Sequence, residues 1–475
     1  MEKKSLITDE RAKRRKFGLH FTSIDMFYRY IFPEIKDILE NYLWVDLYAG
    51  EGNLILPILS KIPEDQRESF FQNHIYLFDV QKDVVLNCIE NAGKYGIPKA
   101  IAEQNIKTRD NLENFPRILK QQKYPIFHIT NPPYLYLGYI RKHDETQRYL
   151  GYFEGQNEGY QDLYQIAMIN DLRYGIDNMI YVIPTNFLYG SSVSNKFRLD
   201  FLRHYKINKM TIFETSMFKF TGTNICIGFF KKKTILKDEP QTFEGLKFKD
   251  KNNFVKRKYK LKPKYKYRAG SEFEAFIEEY CSRNPLKVKY YLQKEEVLNN
   301  LGPHKVKVID ANKYENNQYQ NRIITISKSL KRKLENNILY VRTVDTGSID
   351  GRAGLGIIKE YFGVDGIYVS GNTYRTHPIQ IFLEPDLNFE DQILLRNYFN
   401  TILEYFRVKL DSEFLTTYKY SKADYTRKYL GLTQVRGLIE TFPYELKEDN
   451  KQLLISYIKD NKIERIFELI RSVRS

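Results

Sequence analysis

Short apolar runs alternate with helical patterns from about Leu43 to Phe230, which is typical of strand and helix units over a largely parallel sheet. The predicted strands are 43–48, 75–78, 126–129, 179–183, 209–213 and 224–230. The predicted helices are 53–60, 83–95, 162–174 and 194–204. This pattern predicts one α/β domain.

The pattern changes after this region. The charged stretch 231–240 has the composition of a linker, and irregular strands and turns follow it to about Leu387. Helical periodicity then returns over 389–407 and near the C-terminus. We therefore expect two domains, 1–235 with the α/β pattern and 236–475 with a mixed α+β pattern.

Composition narrows the class of protein. Of 475 residues, 42% are hydrophobic and 15% aromatic, so the chain can bury a substantial core. It has no apolar run long enough to cross a membrane, and its charged N-terminus is unlike a secretory signal. Three separated cysteines and seven histidines form neither a disulfide framework nor a zinc-binding pattern. We expect a cytoplasmic protein that binds no metal.

The charge favours a polyanionic partner. Lysine and arginine number 75 against 59 aspartate and glutamate residues, which leaves a net charge of +16. Such a charge attracts nucleic acid before any contact forms. An AT-rich genome would also load a protein surface with lysine, so charge alone does not identify the partner.

The segment WVDLYAGEGN indicates a strand that runs into a glycine loop with Gly50 and Gly52. Open α/β folds bind ligands at this end of a strand, where glycine lets a ligand approach the backbone. A dinucleotide-binding fingerprint is disfavoured, because Ile55 occupies the place of its third glycine. A P-loop is excluded, because no Gly-Lys-Ser/Thr sequence follows.

Acids follow two further predicted strands. Asp79 ends the strand of IYLFDV, where it can accept hydrogen bonds from two ribose hydroxyls, and Asp110 falls where another strand would end. Acids at strand ends also cap the following helices. With the glycine loop beside them, we interpret both as ligand-binding residues.

The tetrapeptide Asn131-Pro132-Pro133-Tyr134 follows another apolar strand. Two prolines fix φ and remove two backbone donors, so this corner is rigid. The Asn131 side-chain oxygen and the Pro132 carbonyl can both accept from one amino group, which favours the nucleophilic form of an exocyclic amine during methyl transfer. Tyr134 offers a flat face to a base turned out of its stack.

In these motifs and their order, residues 17–230 resemble the gamma-class amino-methyltransferases that modify adenine N6 in DNA, which are type II restriction-modification methylases. The resemblance implies a Rossmann-like, S-adenosylmethionine-dependent methyltransferase domain over 1–235 and DNA target recognition by 236–475. It also implies that no metal and no covalent enzyme intermediate take part. The glycine motif departs from the family's commoner pattern at Tyr48 and Glu51.

The resemblance implies a set of cofactor contacts. GLHFTS matches the N-terminal cofactor motif, and DLYAGEGN matches the glycine motif around the amino acid portion. Asp79 matches the acid that binds the ribose, and Asp110 matches the residue that meets the cofactor adenine. The implied S-adenosylmethionine contacts are Thr22, Asp46, Ala49, Gly50, Gly52, Asp79, Asp110 and Asn131.

The resemblance also assigns the catalytic and base-binding residues. Asn131, Pro132 and Tyr134 match the catalytic motif, with Tyr134 stacking on the target base. FKFTGTNICIGFF resembles the segment that offers an aromatic ring to the other face of that base. Phe218 is the first candidate there, and Phe220 is the second.

Basic segments after residue 236 are candidates for DNA contact. In VKRKYKLKPKYKYR, lysines alternate with tyrosines and apolar residues, as in a strand with one lysine face. Such lysines also guard edge strands against aggregation. Two glycine-bearing loops and a tyrosine-rich segment add arginines, which contact phosphate or read guanine. The predicted DNA-binding residues are Lys256, Lys258, Lys260, Arg342, Arg352, Arg375 and Arg427.

Other substrates of the same chemistry remain open, namely cytosine N4, adenine in RNA and glutamine in protein. Enzymes for RNA or glutamine need no basic region as large as 236–475, which favours double-stranded DNA. A DNA-binding module with a degenerate fold would lack Asn131, Tyr134 or Asp79, and all three are present. Few residues precede the cofactor motif and no nuclease motif is apparent, so any cognate restriction endonuclease is expected to be a separate chain.

Overall fold

A computed structural model describes residues 22–215, 217–218, 223–250, 253–345, 351–420 and 426–474. The chain forms two compact units, Met1–Ala269 with Lys419–Asp424, and Gly270–Tyr418 with Tyr425–Ser475. Each unit has its own hydrophobic core.

The first unit is built on a nine-stranded sheet. Its strands are β1 (Leu43–Asp46), β2 (Ile75–Asp79), β3 (Ile106–Thr108), β4 (Ile126–Thr130), β5 (Asn178–Pro184), β6 (Tyr205–Phe213), β7 (Ile225–Lys232), β8 (Gln241–Phe248) and β9 (Phe254–Leu261). Their spatial order is β3-β2-β1-β4-β5-β7-β6-β8-β9. The first five strands pair in parallel, which confirms the predicted α/β class.

The burial of each strand follows its sequence pattern. All residues of β1 and β2 are buried, because continuous apolar runs suit a parallel sheet that is covered on both faces. β8 instead alternates buried residues with more exposed ones. β7 runs antiparallel between β5 and β6, and β9 is antiparallel to β8 at the edge of the sheet.

Helices connect these strands. The α-helices of the first unit are Ile24–Met26, Phe32–Ile35, Arg67–His74, Lys82–Gly93, Lys99–Asn105, Leu137–Ile140, Leu163–Tyr174, Asn186–Tyr189 and Ser192–His204. A π-helical turn, Phe27–Ile31, joins the first two. The 3₁₀-helices are Leu39–Asn41, Leu56–Lys61, Glu64–Gln66, Arg117–Gln121, Asp144–Phe153, Gly155–Asn157 and Pro263–Tyr265.

The helix predicted over 53–60 is wrong in type and in start. Turns follow the glycine loop, and only the 3₁₀-helix Leu56–Lys61 forms. Pro57 lacks a backbone N–H and disfavours an α conformation at the residue before it. An α-helix therefore cannot run through this segment.

Three smaller sheets follow along the chain. The first contains β10 (Lys287–Tyr290), β18 (Ile379–Glu384), β14 (Leu339–Arg342) and β16 (Gly354–Ile357), in that order. The second contains β11 (Leu292–Gln293), β17 (Gly366–Val369), β12 (Leu301–Glu315) and β13 (Gln318–Ile326). The third contains β15 (Val344–Asp345), β20 (Thr426–Tyr429) and β19 (Thr416–Tyr420).

The helices of the second unit include the predicted C-terminal ones. Their bounds are Glu272–Tyr280, Lys294–Leu298, Lys328–Glu335, Ile358–Phe362, Phe389–Leu410, Leu432–Glu440, Glu448–Lys459 and Ile463–Arg474. The Asn388 side chain caps the 22-residue helix Phe389–Leu410 by accepting from the Asp391 N–H at 2.8 Å. This helix ends where Asp411 adopts a left-handed conformation, with φ of 50°.

The strand predicted from the lysine-rich segment is shorter than its alternating pattern. β9 ends at Leu261, two residues before Pro263, which cannot donate to the sheet. β8 and β9 extend the first sheet beyond residue 235, so the expected border at 235/236 falls inside that sheet. What each part binds stays a prediction.

Within the described ranges, no helix is both long and apolar enough to cross a membrane.

Candidate active site

Two strands of the parallel sheet end side by side. β1 ends at Asp46, and its neighbour β4 ends at Thr130, directly before Asn131. From β1 the chain continues to β2 on one side, while β4 lies on the other side. Open α/β sheets bind ligands at the carboxyl ends of strands at such a point. A cavity of about 400 Å³ lies here.

The cavity brings together most of the predicted cofactor and catalytic residues. Gly52, Tyr134 and Phe218 are not part of its lining. The predicted residues that line it are Thr22, Asp46, Ala49, Gly50, Asp79, Asp110, Asn131 and Pro132.

Asp79 holds the glycine loop in place. Its Oδ2 accepts the Gly50 N–H at 3.0 Å, and its Oδ1 accepts the Gln81 N–H at 2.9 Å. Burial raises the pKa of the Asp79 carboxyl above its ordinary value, against the effect of these hydrogen bonds. A carboxylate has about four lone-pair positions, so Asp79 can also accept from a ligand.

Gly50 and Gly52 have different reasons to be glycine. Both have positive φ, 55° and 83°. A Cβ at Gly52 would also lie 2.5 Å from Leu56 Cδ1 and 2.9 Å from Cys88 Sγ. Gly52 therefore lets the loop pack on the protein, while Gly50 lines the cavity.

Asp46 is almost completely buried, at 1% exposure. Its Oδ1 accepts the Tyr48 N–H at 2.9 Å and the Thr130 hydroxyl at 2.5 Å. Burial raises the pKa of Asp46 to about 7, although His128 and the Thr130 hydrogen bond oppose this shift. A cationic ligand group would favour the charged form of this carboxyl.

The Asp110 carboxylate accepts two hydrogen bonds, one at each oxygen. Its Oδ1 accepts the Leu112 N–H at 3.0 Å, and its Oδ2 accepts the Tyr152 hydroxyl. Tyr152 could not be predicted from the sequence, because the 3₁₀-helix that contains it has no recognisable motif. Arg148 and Tyr149 of the same helix also line the cavity.

Asn111 was also missed. It lines the cavity at 3% exposure, and its Nδ2 donates to the Leu47 carbonyl oxygen at 2.8 Å. Its Oδ1 is buried and has no hydrogen-bond partner among the described residues. A buried acceptor without a donor is costly, so a ligand that donates to it would be stabilised.

The Asn131 side chain is oriented from both ends. Its Nδ2 donates to Thr22 Oγ1 at 2.9 Å, and its Oδ1 accepts from the Tyr134 hydroxyl. The same hydroxyl lies 2.5 Å from the Val182 carbonyl oxygen. Thr22 and Tyr134 thus fix which way the amide oxygen points.

Tyr134 is buried, with 8% of its surface exposed. Its ring meets the Tyr164 ring edge to face, with centroids 6.4 Å apart. Burial raises its pKa well above the ordinary value. The stacking role expected of Tyr134 stays a prediction, since its ring packs within the protein here.

Hydrogen bonds to residues 161 and 162 hold the chain directly after the Pro132-Pro133 corner. Asp162 Oδ1 accepts the Leu135 N–H at 3.0 Å, and the Gln161 carbonyl accepts the Leu137 N–H at 2.9 Å. Burial raises the pKa of Asp162 to about 7. The two prolines line the cavity without backbone donors of their own.

Of the two candidate stacking phenylalanines, Phe218 is buried at 6% exposure. Phe220 lies outside the described residues. The role of both residues stays a prediction.

The predicted lysine face is present on β9. Lys256, Lys258 and Lys260 are exposed, while Tyr259 and Leu261 between and beyond them are buried. β9 is an edge strand, so both DNA contact and protection against aggregation suit these lysines.

The four candidate arginines differ in their surroundings. Arg375 is exposed, whereas the Arg352 guanidinium pairs with Glu404. The Arg342 guanidinium lies 5.0 Å from the centroid of the Tyr361 ring. Arg427 lies in β20 and is partly exposed. Their contacts with DNA stay predictions.

Among the residues described, no group of three or more histidine, cysteine, aspartate or glutamate side chains is arranged to hold a metal ion.

Comparisons with solved structures found chains of similar fold. One is in a cryoEM structure of a DrdV–DNA complex, with 11% identity and a TM-score of 0.36 over 54% of this chain and 32% of that one. A modification subunit of a putative type I restriction enzyme from Vibrio vulnificus YJ016 has 15% identity and a TM-score of 0.36, over 59% of this chain and 56% of that one. The type IIL restriction-modification enzyme MmeI, solved in complex with DNA, has 11% identity and a TM-score of 0.44, over 95% and 80%. This chain thus spans about a third of the length of the first protein and just over half of the second.

A family model matches part of the chain. No curated protein matches the sequence. Residues 28–218 match the family described as Eco57I restriction-modification methylase. These residues include β1 to β6, the glycine loop and the Asn131 corner. Residues 28–218 are thus similar to the Eco57I restriction-modification methylases, which confirms the kind of family predicted from the motifs of this region.

Proposed function

We propose that this protein transfers a methyl group from S-adenosylmethionine to the N6 amino group of an adenine turned out of duplex DNA. The observation that carries the proposal is the corner after β4, where Asn131 and Pro132 border the same cavity as Asp46 and Asp79. Methyl donor and acceptor would therefore meet at the Asn131 side chain.

The cavity fits the proposed cofactor. Its volume of about 400 Å³ suits a small molecule. In the proposed complex, Asp79 would accept from the ribose hydroxyls and Asp46 would balance the ammonium group, since both carboxyls line the cavity. The buried Asn111 Oδ1, which has no partner within the described part of the chain, would accept from the amino group of the cofactor adenine.

The cofactor supplies an electrophilic methyl group when it is bound. The chain's own contribution is to position the acceptor amine and to accept its hydrogens. An amide oxygen has two lone pairs, so Asn131 Oδ1 can accept from the Tyr134 hydroxyl and from the target amino group together. The Pro132 carbonyl would accept the second hydrogen. In the proposed transfer, the new C–N bond would form as the bond from the methyl carbon to the donor sulfur breaks and its electron pair stays on sulfur, and the amine would lose one proton to solvent.

These two acceptors stabilise the transition state more than the ground state. An exocyclic amine conjugated to a ring is a poor nucleophile, and hydrogen bonds to both of its hydrogens favour the pyramidal form. The acceptors are held in place before the reaction, so they need no reorganisation as charge develops.

DNA contacts are proposed for residues of each of the two units. The exposed lysines Lys256, Lys258 and Lys260 on β9 would contact phosphates, and the exposed Arg375 is a candidate for phosphate or base contact. We propose that a cognate endonuclease, if one acts at the same site, is a separate chain.

The test is methylation of unmodified duplex DNA by the 475-residue chain, followed by mass spectrometry of the nucleosides and sequencing of the modified sites. N6-methyladenine at one defined sequence is the expected result. N4-methylcytosine would overturn the choice of base, and methylation of RNA or of a glutamine-containing peptide instead of DNA would overturn the substrate. An Asn131→Ala protein serves as the inactive control.

A further inference from the structure

A second concave surface lies at the end of β3, the other edge strand of the nine-stranded sheet. The cavity there has a volume of about 780 Å³. Its lining comes from the carboxyl end of β3 and the segment that follows, through the 3₁₀-helix Arg117–Gln121. We call it the β3 groove.

The β3 groove is strongly basic. Its lining includes Lys107, Arg109, Arg117 and Lys120 but no aspartate or glutamate. All four side chains are exposed, and none of them forms an ion pair with a residue that the structure describes. Four cations around one concavity repel each other, so an anion bound between them would be stabilised.

The carboxylates of Asp110 and Glu113, which are near in sequence, do not line the β3 groove. Asp110 accepts from the Leu112 N–H and the Tyr152 hydroxyl, on the side of the first cavity. Glu113 is exposed.

The rest of the lining has an aromatic and apolar part beside the polar residues Gln104, Thr108 and Asn114. The Phe115 and Tyr174 rings stack with centroids 4.3 Å apart, and Lys120 Nζ lies 5.5 Å from the Tyr174 centroid. Tyr76 and Phe78 complete this wall, and Ile118 is 47% exposed at the rim. Cations that follow a backbone beside aromatic faces are the usual means of binding unpaired nucleotides.

We propose that the β3 groove binds a short single-stranded segment of nucleic acid, with phosphates on the four cations and a base against the aromatic wall. The volume holds one or two nucleotides, and a base can reach the wall only when it is unpaired. This site is separate from the flipped adenine proposed at Asn131. It also lies on the opposite sheet edge from the lysines of β9.

The variant Lys107→Ser/Arg117→Ser/Lys120→Ser removes three of the four cations. Arg109 is left in place, because it also lines the first cavity. The matched control is Lys94→Ser/Lys99→Ser/Lys123→Ser, which removes three exposed cations from the same unit outside the β3 groove. Both proteins lose the same net charge, so a general electrostatic effect cancels.

Fluorescence anisotropy with a labelled 12-nucleotide oligothymidylate, on the full-length proteins at low salt, measures the affinity. We expect the groove variant to bind at least tenfold more weakly than the wild type, and the control variant less than threefold more weakly. The slope of log affinity against log salt concentration should be smaller by about two in the groove variant than in the wild type, because three phosphate contacts are lost. Equal losses in the two variants would overturn the proposal.

Two further probes separate the possible ligands. The first probe is inorganic tripolyphosphate or ATP. If the groove variant lost binding of this probe but bound oligothymidylate as before, the proposed nucleic-acid strand would be wrong and a free phosphate compound would be the ligand. The second probe is a 12-base-pair duplex. If the groove variant lost more affinity for this duplex than for oligothymidylate, the proposed requirement for an unpaired base would be wrong. S-adenosylmethionine binding, measured by calorimetry, should be the same in all three proteins, so the outcome does not depend on the proposed methylation.

Discussion

His128 and Asp171 form a hydrogen bond of 2.5 Å between His128 Nδ1 and Asp171 Oδ2, and both side chains are almost inaccessible to solvent. The other ring nitrogen, Nε2, accepts the Leu47 N–H at 3.2 Å. Because Nε2 acts as an acceptor, Nδ1 carries the ring proton and donates it to Asp171. The pair therefore supports the backbone directly after Asp46, which lines the candidate site.

Replacing Asp171 should destabilise the first unit strongly. Asp171→Ala leaves the His128 N–H and the Tyr181 hydroxyl, which also donates to Oδ2 at 2.7 Å, without an acceptor in a buried place. Two unsatisfied donors cost roughly 2 to 5 kcal/mol of unfolding free energy. Urea denaturation measures this loss.

Tyr181→Phe is the matched control for Asp171→Ala. It removes one donor and leaves no other donor unpaired, so we expect a loss of about 1 kcal/mol. If the two variants unfolded at the same urea concentration, the hydrogen-bond network would not contribute as described.

The buried carboxyl of Asp46 should make stability depend on pH. Its pKa in the folded protein is raised to about 7, so the folded state holds a proton that the unfolded state releases near pH 4. This contribution is complete at low pH and is lost as pH rises through about 7. We expect Asp46→Asn to raise the melting temperature relative to the wild type at pH 8, and much less at pH 5.

The size of this stability difference follows from the pKa shift of Asp46, since each pKa unit is worth about 1.4 kcal/mol. Asparagine can still accept from the Tyr48 N–H and the Thr130 hydroxyl, so the substitution keeps the local hydrogen bonds. Thermal denaturation of both proteins across this pH range is the measurement. A melting temperature difference that does not change with pH would contradict the shift.

Asp79 should contribute to cofactor affinity through its charge. Asp79→Asn keeps one oxygen for the loop but would weaken the two proposed hydrogen bonds to ribose hydroxyls, each worth roughly 1.5 to 3 kcal/mol when the acceptor is charged. We expect S-adenosylmethionine to bind at least tenfold more weakly in titration calorimetry.

Glu51→Gln is the control for Asp79→Asn. It removes a charge from the lining of the same cavity without touching the Asp79 hydrogen bonds. Equal losses of affinity in the two variants would show that general charge, and not the ribose contact, is responsible.

The sheet places a limit on where the chain can be divided. A fragment 1–235 ends before β8, so it exposes the edge of β6 that β8 covers. It also loses the Lys266 carbonyl, which accepts from the buried Arg198 at 2.7 Å. We expect 1–235 to aggregate and 1–269 to be monomeric in size-exclusion chromatography. Monomers of equal melting temperature would contradict this.

The sequence predicted those parts of the fold that depend on local pattern. The strands leading to Asp46, Asp79 and Asn131 were predicted because each is an apolar run followed by a motif. The partner of His128 was not predictable, since a histidine within an apolar strand does not indicate which helix faces it. Asn111 has no motif, and only its unsatisfied oxygen in the folded cavity marks it.

Two further features of the structure also depend on contacts that the local sequence pattern does not show. The lysine-rich strand stops before Pro263, although the alternating pattern continues, because hydrogen-bond donors and not side-chain alternation decide where a sheet ends. The orientation of Tyr134 depends on packing against Tyr164 and on the Val182 carbonyl, which lie far from it in sequence.

The contributions of the Tyr134 ring and of its hydroxyl can be measured separately. Tyr134→Phe keeps the ring but removes the hydroxyl that donates to Asn131 Oδ1, whereas Tyr134→Ala removes both. If the ring stacks on the target base, Tyr134→Ala should weaken base capture by roughly 1 to 3 kcal/mol, while Tyr134→Phe should capture normally. Fluorescence of 2-aminopurine at the target position reports capture, because it brightens when the base leaves the duplex stack.

The rate of methyl transfer then tests the acceptor. Asn131→Ala removes one of the two oxygens proposed to hold the amine, and loss of such a preorganised contact costs on the order of 10² to 10³ in single-turnover rate with little change in DNA affinity. Tyr134→Phe should slow the reaction less, because the amide keeps its hydrogen bond to Thr22 at 2.9 Å. An Asn131→Ala protein that methylates at the wild-type rate would falsify the mechanism. An Asn131→Ala rate above that of Tyr134→Phe would instead assign the main contribution to the tyrosine hydroxyl.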